Sequence, residues 1–207
     1  MPSSDAHGEV PMSESPYADY LRLDALLALQ HPRTPAAEAQ QWADERLFIV
    51  VHQSAELLAG QTLTELRLAA RQAGAPGAGG AALASVRRAH ALLALLTGHL
   101  SILDHLETAG FAAFRDLLGE ASGCQSTQFS HLFAQICAPD AGLPLHDGTP
   151  ADGEADELRV AVRSVQEAVA QWRAQHLLLV ERMIGDDAGT AGSSGLAHLR
   201  SRAEPSG

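Results

Sequence analysis

The sequence predicts an all-α protein, a bundle of four or five main helices, and three observations carry that prediction. Hydrophobic residues make up 46% of the chain while aromatics are only 4%, so the apolar content is mostly Ala, Leu and Val. Ala and Leu lose little on entering a helix, and strand-forming residues are scarce. The second observation is a long apolar stripe: Leu158, Val162, Val165, Val169, Trp172, His176, Val180 and Met183 recur at steps of four or three. That pattern is one continuous face of a helix in a bundle, about 40 Å long at the standard rise. Third, the stretches richest in glycine and proline fall between the helical patterns, where they act as punctuation.

The elements follow in order. The first sixteen residues are rich in Ser, Pro and acids and are expected to form a disordered lead. Over 17–30, YADYLRLDALLALQ places Leu23, Leu26, Leu27 and Gln30 at helical spacing, and Pro32 and Pro35 close the segment. A second helix is expected over about 37–71, with Leu47, Val51, Ala55 and Leu58 as its buried stripe and Phe48 and His52 beside it, one turn apart. QAGAPGAGG, 72–80, reads as a loop, because four glycines and a proline are costly to hold in a helix. A third helix covers roughly 83–108. A short one runs through FAAFRDLL after Gly110, GEASG is turn-like, and another helix reaches about residue 135. By composition APDAGLPLHDGTPADGEADE, 138–157, is a surface loop, and the striped helix closes the series. The expected organisation is a lead over 1–16, one helical domain over 17–200 and a tail over 201–207.

Bulk properties narrow the function. The formal net charge is −11, which argues against a nucleic-acid partner, since such binding is driven by clustered Lys and Arg. Cys124 and Cys137 form neither a disulfide framework nor a metal-type pairing, which suits a reducing compartment. MPSSDAHGEVPMSESP has no basic region followed by an apolar run, so it does not read as a secretory signal. The most apolar stretch, 91–106, is interrupted by Gly98, His99, Asp104 and His105 and is too short to span a bilayer. A soluble, cytoplasmic protein is expected.

Few side chains stand out chemically. His176 occupies a stripe whose other members, except Trp172, are aliphatic. It is either a hydrogen-bonded core histidine or an axial haem ligand projecting from an apolar wall. No second histidine lies at i+3 or i+4 and there is no HExxH, so a zinc site is not expected. His52 follows Phe48 by one turn inside LFIVV; it is either structural or a group that holds an indole N–H or handles a proton above a cofactor. Arg115, beside Asp116, is either half of a surface pair or a bidentate clamp for a substrate carboxylate. GTAGSSG, 189–195, is either a flexible tail or a covering loop in which Thr190 and the serines offer hydrogen bonds. It lacks the GKS or GKT ending of a phosphate loop.

Taken in order, YADYLRLDALLALQHP, DERLFIVVHQSAEL, FRDLLGEASGCQSTQF and WRAQHLLLVERMIGDDAGTAGSSG resemble the tryptophan 2,3-dioxygenase family in four blocks. The resemblance implies an all-α homo-oligomer, a tetramer in the family, holding a b-type haem (haem b, iron). With O2 it opens the indole of L-tryptophan to N-formylkynurenine. It further implies His176 as the proximal haem ligand, His52 as the distal histidine at the indole nitrogen, Phe48 as a pocket wall beside it, and Phe111 as a substrate-binding position near the carboxylate clamp. Arg115 would bind the substrate carboxylate and Thr190 its ammonium and carboxylate. Ser122 and Gly123 would lie close to haem and substrate, and Tyr17, Tyr20 and Leu21 would reach into a neighbouring subunit's pocket.

The chain departs from the family pattern at several places. Phe111 stands where tyrosine is frequent, Cys124 replaces the phenylalanine of ASGFQS, Ala191 replaces the second glycine of GTGGSSG, and SELW reads AELL. A long helical insertion is missing: about thirty residues separate Phe129 from Val160. Two alternatives therefore stand beside a dioxygenase acting on tryptophan or a substituted tryptophan. One is a haem monooxygenase on an indole or phenol amino acid in specialised biosynthesis, and the other a non-catalytic helical haem-binding protein.

Overall fold

The computed structural model describes residues 15–73, 75, 79–137 and 153–184, and no strand occurs among them. Seven α-helices follow one another among these residues: α1 Pro16–Leu21, α2 Leu23–Leu27, α3 Ala39–Ala73, α4 Gly79–Leu100, α5 Thr108–Arg115, α6 Thr127–Cys137 and α7 Glu154–Ile184. Short 3-10 turns occupy Ser101–His105, Asp116–Leu118 and Gly123–Gln125. The all-α architecture expected from composition and stripe is the one observed.

α3, 35 residues long, and α4 form an antiparallel hairpin. Arg88 Nη2 donates to Glu65 Oε2 at 2.8 Å, the Ser85 hydroxyl donates to Gln72 Oε1 at 3.0 Å, and His99 Nε2 lies 3.1 Å from Ser54 Oγ. α7 runs parallel to α4. Arg87 meets Glu157 at 3.2 Å near the start of both helices, and beyond the end of α4 Arg182 donates to the Leu103 carbonyl at 2.8 Å. Between these three long helices Leu66, Val86, Leu93, Leu96, Leu106 and Val165 are fully buried, each worth about 1.5–3 kcal/mol in removed apolar surface. The short helices lie across α3. Gln41 Nε2 donates to the Ala113 carbonyl at 2.8 Å, holding α5, and Gln128 Nε2 donates to the Glu56 carbonyl at 3.1 Å, holding α6. A Cβ on Gly60 would stand 2.6 Å from Gln128 Oε1, so glycine there lets α6 come close.

Four expectations are corrected. The helix expected over 17–30 is two short helices broken at Arg22, which sits in the left-handed region at φ 53° and ψ 43°. Arginine is no helix breaker, so nothing in the pattern marked this break. The helix expected over 83–108 stops at Leu100. Leu100, Leu103 and Leu106 are all buried, and their step of three suits a 3-10 turn as well as an α-helix. Of the α3 stripe only Val51 is fully buried; Leu47, Ala55 and Leu58 are partly covered, and the buried face continues through Ala59, Leu63 and Leu66. Finally, α7 begins at Glu154, inside the expected loop, with Glu154, Asp156 and Glu157 in its first turn, where carboxylates favour the positive helix end. The expected lead over 1–16 lies outside the described residues as far as 14, while Ser15 caps α1 and Pro16 opens it; the rest of that loop and the residues from 185 onward lie outside the described residues.

Glu45 of α3 fastens the N-terminal segment to the bundle. Only 2% exposed, it accepts from the amides of Arg33 at 2.9 Å and Thr34 at 2.7 Å. Burial alone would raise its pKa, but the Arg33 and Thr34 hydrogen bonds and the Arg33 charge together outweigh it, and the pKa lies below 4.5. The unfolded chain therefore takes up the proton first. The stabilisation is full above about pH 4.5 and is lost as the pH falls below it. Glu45→Ala should cost about 2–3 kcal/mol at pH 7 and much less at pH 3, read by urea denaturation. An equal cost at both pH values would remove the carboxylate from the account.

Candidate active site

α3, α5, α6 and the C-terminal half of α7 enclose a cavity of about 480 Å³, within the roughly 300–1,000 Å³ usual for small-molecule sites. Val51, Leu100, Leu103, Leu106, Leu179 and Met183 make much of its wall. Into this apolar space two histidines enter from different helices, His52 from α3 and His176 from α7.

His176 sits one turn after Trp172, and the two rings stack with centroids 5.0 Å apart and planes 5° apart. Burial first, and the charge of His52 second, push its pKa down to about 4. The imidazole is therefore neutral near pH 7 and keeps a nitrogen lone pair. Among the described residues no group hydrogen-bonds to this ring.

His52 is fixed differently. Its Nδ1 lies 2.7 Å from the Phe48 carbonyl oxygen, which can only accept, so Nδ1 carries the proton. In the neutral ring Nε2 is then an acceptor. Much of the ring surface opens onto the cavity, yet enclosure by protein lowers the pKa through burial. The Phe48 carbonyl and Glu56 oppose that shift, and His99 adds to it. The Phe48 ring lies 3.9 Å from the His52 ring and packs on Phe111 at 5.7 Å and Phe114 at 5.6 Å. These phenylalanines hold α5 against α3 and so place Arg115, the last residue of α5, at the cavity wall. Ser122 begins the following 3-10 turn with reciprocal capping: its hydroxyl accepts from the Cys124 amide, and Gln125 Oε1 accepts from its own amide at 3.0 Å. That cap fixes the wall formed by Ser122, Gly123 and Cys124.

Phe48, His52, Phe111, Arg115, Ser122, Gly123 and His176 thus line one cavity, although they come from separate parts of the sequence. Tyr17, Tyr20 and Leu21 do not line it; they are 69%, 86% and 42% exposed on α1. Thr190 lies outside the described residues. Sequence reasoning passed over Trp172, Phe129, Glu56 and Arg173, all of which line the cavity. Helical spacing from His52 and His176 could have found Glu56, Trp172 and Arg173, because positions three and four apart share a face.

The described residues fit a haem. No group of three or more His, Cys, Asp or Glu among them could hold a bare metal ion. A single neutral imidazole on an apolar wall suits a metal that brings its own equatorial ligands. The cavity also carries Arg115 and Arg173, cations that can meet carboxylates. Among the described residues Trp172 Nε1 is buried without an acceptor, a polar atom left over at this wall.

Comparison with known proteins agrees with this geometry. The family described as tryptophan 2,3-dioxygenase matches residues 2–140 and 145–205. The tryptophan 2,3-dioxygenase of Anaeromyxobacter dehalogenans is 32% identical over 243 aligned positions, covering 89% of this chain and 89% of its own. That of a Nocardioides species is 33% identical over 242 positions, covering 90% and 88%. The one from Herpetosiphon aurantiacus is 30% identical over 247 positions, covering 91% and 93%.

Proposed function

The chain belongs to the tryptophan 2,3-dioxygenase family, and from that premise we infer a haem-dependent oxidoreductase that uses O2 to open the indole C2–C3 bond of L-tryptophan or a substituted tryptophan, giving an N-formylkynurenine-type product. The observation that carries this reading is the pair of neutral histidines facing one apolar cavity that also holds an arginine suited to an amino-acid carboxylate. Product mass tests it: two added oxygen atoms are expected, and one would support a monooxygenase instead. A chain that binds haem and turns over no aromatic amino acid would support the non-catalytic alternative. Neither alternative has an observation in its favour.

The chain's residues divide the work. His176 would hold the iron of haem b, with Ser122 and Gly123 beside the macrocycle. Bound haem supplies the redox-active iron that lets O2 react with an indole. Arg115, with Thr190 from the stretch that follows α7 in sequence, binds the carboxylate and ammonium of the substrate, while Phe48 and Phe111 flank its ring. His52 accepts the indole N–H at Nε2, because Nδ1 is committed to the Phe48 carbonyl. The apolar walls exclude water, which strengthens each of these contacts.

On this reading His52 orients the substrate and is not an obligatory base. His52→Ala should slow turnover by at most a few powers of ten and leave activity measurable. A substrate methylated on the indole nitrogen should be poor for wild type and relatively better for the variant. Complete inactivity, with haem content and substrate affinity unchanged, would instead make His52 an essential acid–base group.

Assembly and location complete the proposal. The single domain over 17–200 is read as one subunit of a homodimer or homotetramer, in which Tyr17, Tyr20 and Leu21 pack on a neighbour. Their exposure supports this, since so much apolar surface on one short helix asks for a partner. Light scattering at micromolar concentration should show at least a dimer, and removal of residues 1–30 should dissociate it; a stable, active monomer would refute the assembly. No described helix is long and apolar enough to cross a membrane. The two free, exposed cysteines support a cytoplasmic site of action.

A further inference from the structure

Three rings from two helices stand in a row along the cavity wall. Phe129 of α6 stacks on Trp172 of α7 with centroids 4.9 Å apart and planes 18° apart, and Trp172 stacks on His176 at 5.0 Å and 5°. Phe133 adds a tilted contact with Trp172 at 5.8 Å and is itself covered by the Arg173 guanidinium at 4.8 Å. Trp172 is 8% exposed, while His176 is only half-buried and lines the cavity. Rotation about χ2 of a histidine is broad and nearly two-fold, so the helix backbone alone does not fix the plane of the ring. Among the described residues no hydrogen bond fixes it either. The remaining constraint is the flat face of Trp172: turning the imidazole out of its plane sacrifices the offset stack or drives the rings together.

We propose that Trp172 is a positioning residue for the cofactor, setting the plane of the His176 imidazole through the Phe129–Trp172–His176 stack before haem binds. The proposal rests on His176 as the iron ligand. A ligand already held in its bound orientation would lose less freedom on coordinating the iron. Phe129 belongs to the same device, because it holds Trp172 from the α6 side. Nε1 of Trp172, which has no acceptor among the described residues, has no part in it; the flat face is what acts.

The test compares aliphatic with aromatic replacements in the full chain. Trp172→Leu, Trp172→Met and Trp172→Phe are purified and checked for helix content by circular dichroism. Haem loss to a scavenger and the iron–histidine stretching band of the ferrous protein are then recorded, neither of which needs turnover. The folded aliphatic variants should lose haem about tenfold faster or more and show a shifted or broadened band, while Trp172→Phe should return both towards wild type. A folded Leu or Met variant with the wild-type band and rate overturns the proposal. So does a Phe variant as impaired as the aliphatic ones, since the indole itself would then be needed. His176→Ala serves as the control. If it too keeps the wild-type band, the ligand assignment has failed; if it loses haem while the Trp172 variants are unaffected, only the stack has.

Discussion

His176→Ala should fold, keep its helix content and be purified with under about a tenth of the wild-type haem, because the iron loses its protein ligand. The reason is local. His176 is a neutral imidazole at physiological pH, its pKa pushed down to about 4 by burial and by the charge of His52. Only the neutral form can bind iron, so the cavity keeps the ligand in its competent state across the ordinary pH range. The substitution gives up the stack on Trp172 but leaves Leu158, Val162, Val165, Val169 and Leu179 of the buried face of α7 in place. Haem absorbance against protein concentration reads the result. A wild-type Soret band at full occupancy would end the assignment.

Arg115→Leu should abolish measurable binding of the amino-acid substrate and leave haem content intact. A carboxylate brought into an apolar cavity without its cation is desolvated and unpaired, at a cost of about 2–5 kcal/mol, or roughly 30-fold or more in affinity. Arg115 ends α5, and α5 is anchored by the Phe111 and Phe114 rings against Phe48. The aromatic cluster should therefore survive the change and keep His52 in place, while His176 stays on Trp172 of α7. Substrate titration followed by the haem spectrum measures the effect. Equal use of indole and tryptophan by the wild type would show that no clamp operates.

Much of the fold was legible because helices announce themselves locally. The steps of four and three along 158–183 report a buried face of α7 without reference to any other helix. The places that could not be read are those where the backbone answers to its surroundings. Arg22 adopts a left-handed conformation that its residue type does not favour. The chain tightens at Leu100, where a step of three fits both helix types. The lower half of α3 looked like core, with Ala55 in its stripe, but Ala55 lines the cavity.

The site divides in the same way. The sequence by itself determined which chemistry is present: an imidazole in an apolar stripe, a second one a turn after Phe48, an arginine behind a phenylalanine-rich turn, and four blocks that mark the family. These are properties of residue type and short-range spacing, so one strand of text contains them. Only the tertiary structure decided that His52, Arg115, Ser122 and His176 share one cavity, that Phe48 fixes the His52 tautomer through a backbone carbonyl, and that Trp172 lies flat on His176 with Phe129 behind it. Those facts depend on how α3, α5, α6 and α7 pack. Packing is a sum of many small contacts between residues far apart in the chain, and no local pattern records it.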